Sequence, residues 1–370
     1  MRKAAAIVGL SGAIVLALVA FHHSPPKALP SPLAQAPASL DAPKEQPLHS
    51  TRPLSDAGTA EPVEAKPVTN LLTRMANGEE IPPLRPEQVA AYLEANHRSV
   101  ESLLGAYRTT RDKALLQEAA EKYSKDPRVD LEAAFFGAPE HRRKWLDAFK
   151  DSAPNNALAN YLSAGDYFKA GEKSQALEEL QAASEKSNFQ DYFPDFVQNA
   201  TEAYRAAGYS EAEAKNLAAS SALLPQLAEL KQVGVNLVDL AQSYRQAGDE
   251  SSAQSALDMA TALGGRLNQP DSTTLIQMLV GIAVEKKALG TLDPTAAYGS
   301  NGETVQTALD ALTQQREGLK TLSKPLDPSL WARVPDSDLI SFRDRQLLFG
   351  AQPALEWLMN KYGPSAASAQ

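Results

Sequence analysis

Hydrophobic and small residues recur in the middle of this 370-residue chain with one spacing, written twice. Ala164, Tyr167, Gly171, Ala176, Leu180 and Ala183 are matched gap for gap by Ala241, Tyr244, Gly248, Ala253, Leu257 and Ala260. Between them, Tyr204 and Gly208 repeat the Tyr-to-Gly step. Apolar positions three and four apart mark one face of a helix. Each Gly sits where that helix should stop, because the residue past a C-terminus commonly takes a left-handed conformation that Gly adopts cheaply. Restart signals follow: Ser210 with Glu213 reads as a capping box, and Asp249–Glu250 puts negative charge at the start of the next helix. The stretch from Ala157 to Leu263 therefore predicts helix–turn–helix units, with the small residues where paired backbones approach.

The same patterning predicts helices on both sides. A short helix over Asn70–Ala76 is broken by Pro82 and Pro83, and Pro86 opens another over Gln88–Asn96. Ser99–Tyr107 pairs with Asp112–Lys125, and Val129–Phe136 with Pro139–Lys150. Beyond the repeats come helices over Ser272–Leu289, Glu303–Leu322, Ser337–Leu348 and Pro353–Tyr362, with a Gly/Pro/Ser/Asn-rich loop at Gly290–Gly302. Strand-like alternation of useful length is missing, so the body is all-α.

The small–Tyr–Gly–Ala–Leu–Ala signature resembles the tetratricopeptide family of helical-hairpin repeats. The likeness is best over 157–188 and 234–263, partial over 194–222, and extends to Tyr107, Leu116, Ala120 and Tyr123 in an earlier hairpin. It implies a solenoid in which Tyr167, Tyr204 and Tyr244 occupy equivalent seats in adjoining pairs. The steps between these tyrosines are longer and less regular than the family's, which implies extended helices or an irregular superhelix. Ligands of that family lie against the first helix of each pair. Here those helices carry Tyr161, Phe168 and Lys169, then Gln198 and Arg205, then Gln242 and Arg245; the Lys/Asn carboxylate clamp of some family members is missing.

The N-terminus changes the picture of where this body works. Arg2 and Lys3 precede the apolar, uncharged run Ala4–Phe21, whose eighteen residues make about 27 Å of helix, close to a bilayer's hydrocarbon thickness. Positive charge before the run places the N-terminus inside and the rest outside. Leu18 is a poor residue for a cleavage site after Ala20, which favours an uncleaved signal anchor in the cytoplasmic (inner) membrane with the helical domain periplasmic; the alternative is a secreted protein after signal-peptide removal. Residues 22–67 carry recurrent prolines among Ala, Ser and mixed charge and form a disordered linker. The resulting plan is 1–21 anchor, 22–67 linker, 68–267 repeat domain, 268–365 C-terminal helical region continuing or capping the array, and 366–370 disordered tail.

Composition narrows the chemistry. A net charge of −9 argues against nucleic acid or anionic lipid as partner of the body, and the lack of cysteine excludes disulfides and thiolate metal sites. The five histidines sit at 22, 23, 49, 97 and 141 with no metal-ligand spacing, and no HExxH, GxSxG or phosphate-loop motif occurs. No catalytic residue, cofactor or metal is therefore assigned. Acidic pairs such as Glu178–Glu179 fall at helix-surface spacing and read as solvated faces. The one dense basic cluster, Arg142, Arg143 and Lys144 after His141, reads either as a solvated face or as a docking patch for an acidic partner or cell-wall polymer. The expected function is an exported, membrane-tethered scaffold that binds proteins or peptides in the cell envelope. Two alternatives stand beside it: a helical envelope enzyme acting on cell-wall glycan through carboxylates in the C-terminal third, and a structural spacer.

Overall fold

The Tyr-to-Gly step is a helix stop repeated three times. In a computed structural model, which describes residues 83–299, 302–324, 326 and 328–363, Gly171, Gly208 and Gly248 take φ of 81°, 94° and 78°. The carbonyls of Tyr167, Tyr204 and Tyr244 each accept a hydrogen bond from the N–H five residues on, at 2.9, 3.2 and 2.9 Å. This closes the last turn of each helix and satisfies an otherwise unpaired carbonyl. Ser210 and Glu213 form the expected capping box, and Asp249 caps its helix on the N–H of Ser252.

Starts and stops of this kind divide the described chain into helices. They are α1 (Pro86–Ala95), α2 (Val100–Thr110), α3 (Lys113–Lys122), α4 (Pro127–Phe136), α5 (Arg142–Ser152), α6 (Ala157–Ala170), α7 (Lys173–Ser184), α8 (Phe193–Ala206) and α9 (Glu211–Ser221). There follow α10 (Pro225–Gln246), α11 (Glu250–Leu267), α12 (Leu275–Leu289), α13 (Val305–Ser323), the single turn α14 (Pro328–Trp331), α15 (Asp336–Phe349) and α16 (Ala351–Tyr362). The body is mostly helical. In the expected loop before α13, β1 (Ala297–Tyr298) and β2 (Glu303–Thr304) pair antiparallel on either side of Gly299 and Gly302, both at positive φ. No described helix is long and apolar enough to cross a membrane. The expected anchor, the linker, the helix at Asn70–Ala76 and the 366–370 tail lie outside the described residues.

The packing order differs from the chain order at one place. Pairs α2–α3, α4–α5, α6–α7, α10–α11 and α12–α13 follow one another. Arg128 reaches from α4 to Glu101 of α2, Lys150 of α5 to Glu179 of α7, and Asn268 after α11 to Gln315 of α13. The pair α8–α9 leaves this line. Helix α8 lies on α1 and α2, α9 lies on α15, and α16 touches α13, so the last pair is linked back to the first. The three tyrosines consequently do not share equivalent seats. Tyr167 is half-buried under the Arg143 guanidinium of the preceding pair, 4.6 Å from its ring centre. Tyr204 is wholly buried, edge-on to Tyr209 at 5.4 Å. The equivalence expected for adjoining pairs fails for Tyr204 because its hairpin is laid elsewhere.

A missing side chain lets α8 lie on α2. A Cβ built on Gly105 would stand 2.4 Å from the backbone oxygen of Asn199 and 3.1 Å from the Tyr92 hydroxyl. The backbone oxygen cannot swing aside, so Gly105→Ala should destabilise by about 1–3 kcal/mol despite alanine's better helix propensity. Gly318 in α13 has no atom within 4 Å of its Cβ site, and Gly318→Ala should instead stabilise by up to ~1 kcal/mol. Thermal unfolding of the two variants checks the opposite signs.

Candidate functional site

Two connecting segments and the end of a helix meet where α8–α9 leaves the line of pairs, and they line a cleft of about 690 Å³. One wall is the segment 187–192 between α7 and α8, in which Asn188 makes a parallel bridge to Asn156 and Tyr192 turns left-handed at φ 56°. A second is the α11–α12 connection with Asp271, Ser272 and the first turn of α12. Leu347 and Leu348, at the end of α15, form the third.

Each wall is fixed by hydrogen bonds that the local sequence provides. Asn156, the N-cap of α6, holds the first wall: its side-chain oxygen accepts from the N–H of Gln190 at 3.0 Å while its amide donates to the Gln190 carbonyl at 2.7 Å. The N–H of Ala157 donates to the Asn188 carbonyl at 2.9 Å. Arg266 of α11 caps the end of α7 by donating to the carbonyls of Ala183 and Lys186, and so spans the first two walls. The third wall is pinned by the N–H of Ala351 on the Ser272 carbonyl (2.8 Å) and by the Gln346 amide on the Thr273 carbonyl (2.8 Å). Gly350, at φ 95°, makes that approach possible, since a Cβ there would meet the backbone of Pro270 and Asp271 at 2.7–2.8 Å.

The cleft is acidic. Asp191, Asp195 and Asp271 line it against the single guanidinium of Arg266, a formal balance of −2 (one positive, three negative). Burial pushes the Asp191 carboxyl above the ordinary range, opposed by hydrogen bonds from the Phe193 N–H and the Gln226 amide. Burial also raises Asp195, opposed by Arg128 at 3.8 Å. Leu348 is 58 % exposed, and Phe349 beside it 55 %, so an apolar edge borders the charged floor.

The residues expected to line a repeat groove do not assemble into one. Tyr161 is 2 % exposed, with Phe189 against its ring at 6.3 Å; it belongs to the core, which corrects its place among surface candidates. Phe168 is half-buried against the core. On α8, the helix that has left the line, Gln198 pairs with Glu202, and Arg205 pairs with Glu211 at the start of α9. Gln242 is exposed, and Arg245 is held by Glu250 and the Thr291 carbonyl. The structure does bring Lys169 to the basic cluster: Lys169 and Arg142 share Glu229, at 2.6 and 2.5 Å. Arg142 and Arg143 both reach Asp166, and Arg143 also donates to Ser163 and Asp147. These arginines are committed to tying α5, α6 and α10 together. Lys144 is exposed, its ammonium 5.0 Å from the Trp145 ring centre.

Sequence reasoning passed over the cleft because its walls are connections. The available signal was the run Ser187–Asp195, too long and too polar for a tight turn between the helices it joins. Comparison with protein-family models, curated proteins and solved structures finds no match for this chain. The functional reading therefore rests on the geometry.

Proposed function

We propose that this protein is an exported, membrane-tethered scaffold that binds other envelope proteins, built as a tetratricopeptide-like solenoid whose line of pairs is interrupted by α8–α9. The observation that carries this reading is the cleft: a 690 Å³ space walled by three different parts of the chain, of a size common for binding sites. The apolar run Ala4–Phe21 and the Pro-rich stretch after it support tethering outside the inner membrane. Proximity biotinylation from the C-terminus in intact cells, followed by co-purification, tests the reading. A reproducible set of envelope proteins is the expected result. Labelling of cytoplasmic proteins, or no stable partner, would overturn it.

One observation favours a second reading. Asp191 and Asp195 share the cleft, and burial raises both carboxyls, as a general acid of a glycan-cleaving enzyme requires. They lie outside the C-terminal third; from that region only Asp271 contributes a carboxylate to the cleft. Release of soluble fragments from purified cell wall, abolished by Asp191→Asn, would support the enzyme.

A further inference from the structure

The segment 187–192 is bonded along one edge only. In extended backbone the N–H and C=O of one residue point to the same side, and successive residues alternate. Asn188 and Gln190 spend their groups on Ala157 and Asn156. The opposite edge belongs to Ser187, Phe189 and Asp191; among the described residues no other backbone group pairs with their N–H or C=O groups, and the Asp191 N–H meets its own carboxylate. All three residues line the cleft. An unpaired row of donors and acceptors is a template for a further strand.

We infer that the cleft binds an extended, cationic peptide segment of another protein, which adds as a strand to the edge at Ser187, Phe189 and Asp191. The inference rests on the scaffold reading and names the chemistry of its partner. Main-chain pairing gives affinity that does not depend on sequence, while alternate side chains give selectivity. Selectivity here is electrostatic. Three carboxylates line the cleft with one guanidinium that is already donating to the chain's own carbonyls, while Arg128 approaches Asp195 at 3.8 Å from outside the lining, so lysine or arginine side chains are matched and acidic ones repelled. Leu347 and Leu348 offer the apolar contact for intervening side chains. Charge also argues against the chain's own linker as occupant. Residues 22–67 hold four basic residues (Lys27, Lys44, Arg52, Lys66) against five acidic ones (Asp41, Glu45, Asp56, Glu61, Glu64).

The probe is a blocked peptide of about eight residues alternating lysine and valine, long enough to span the edge. It is titrated into the full-length protein by fluorescence anisotropy and by hydrogen exchange. Binding should protect the amides of Phe189 and Asp191, and weaken with salt. A glutamate–valine peptide should bind at least ~tenfold more weakly, as should the lysine peptide to Asp195→Lys/Asp271→Lys, equivalent to about 1.4 kcal/mol. Methylating alternate backbone nitrogens of the probe should abolish protection. Both substituted positions are at the cleft's solvent side, and an unchanged Tm verifies that the variant folds.

Absence of binding, or equal binding of the acidic or methylated peptide, would overturn the inference. So would full protection of Phe189 and Asp191 before any peptide is added, which would seat the chain's own linker there. If co-purified envelope proteins persist while the peptide fails, the cleft inference falls alone and the scaffold reading stands.

Discussion

Glu132→Gln and Arg108→Met should each lower stability by about 3–5 kcal/mol, a large share of the whole for a protein of ordinary stability. The two side chains form an ion pair between α4 and α2 that is nearly sealed from solvent, at 2 % and 8 % exposure. Its surroundings are arranged around charge. The Arg108 guanidinium lies 3.7 Å from the centre of the Phe196 ring of α8, and its charge lowers the Asp191 carboxyl at the edge of the cleft. Yet Nε of Arg108 and Oε2 of Glu132 have no hydrogen-bond partner among the described residues. Two ions are thus held out of water with incomplete compensation, so deleting either leaves the other stranded. The double variant Arg108→Met/Glu132→Leu removes both charges and should recover most of the loss. Urea unfolding of the three variants measures this. Additive losses in the double variant would mean that the residues act separately, and singles costing under about 1 kcal/mol would mean that the pair is hydrated.

How far such features can be read from the chain depends on how local their partners are. The stops at Gly171, Gly208 and Gly248 are legible because the bond that closes each turn spans five residues, and the capping box at Ser210 is legible because it spans three. Most helix limits follow from the same short-range chemistry. What the pattern does not carry is which pair lies on which. The hairpin α8–α9 has the same internal signals as its neighbours, and its removal to α2 turns on Gly105 fitting the backbone of Asn199. The basic cluster was legible as charge but not as structure, because Arg142 finds Glu229 87 residues away. Tyr161 was placed on a groove because its helix is the first of its pair. In the fold that face is covered, in part by Phe189 from the very loop that walls the cleft. The binding edge escaped for a related reason: unpaired backbone has no side-chain signature, and Asn156 marks the opposite edge from 34 residues away.

Stability should fall as pH rises from about 4 to about 6, and Asp130→Asn should flatten that fall. Asp130 lies in α4 with no exposed surface, its one side-chain partner the Ser152 hydroxyl, which donates to Oδ2 at 2.6 Å. Its other oxygen has no hydrogen-bond partner among the described residues. The carboxyl is raised from 3.8 to about 6, chiefly by burial; the Ser152 hydrogen bond opposes the rise, and the Asp126 and Asp151 carboxylates add to it. An acid whose folded value is raised holds its proton more tightly in the folded state. Its contribution is therefore complete below the unfolded value and is lost as pH passes through the folded one. The rise from 3.8 to about 6 corresponds to roughly 3 kcal/mol. The opposite behaviour of Glu118 keeps the two windows apart: Arg98 holds that carboxyl down at about 2, so its stabilisation disappears only as pH falls below the ordinary range. Ser152→Ala removes the one opposing bond and should carry the Asp130 window to higher pH. The check is the unfolding free energy in urea at several pH values from about 4 to about 7. Wild type and Asp130→Asn should diverge progressively across that interval, whereas parallel curves would show that the Asp130 carboxylate is solvated.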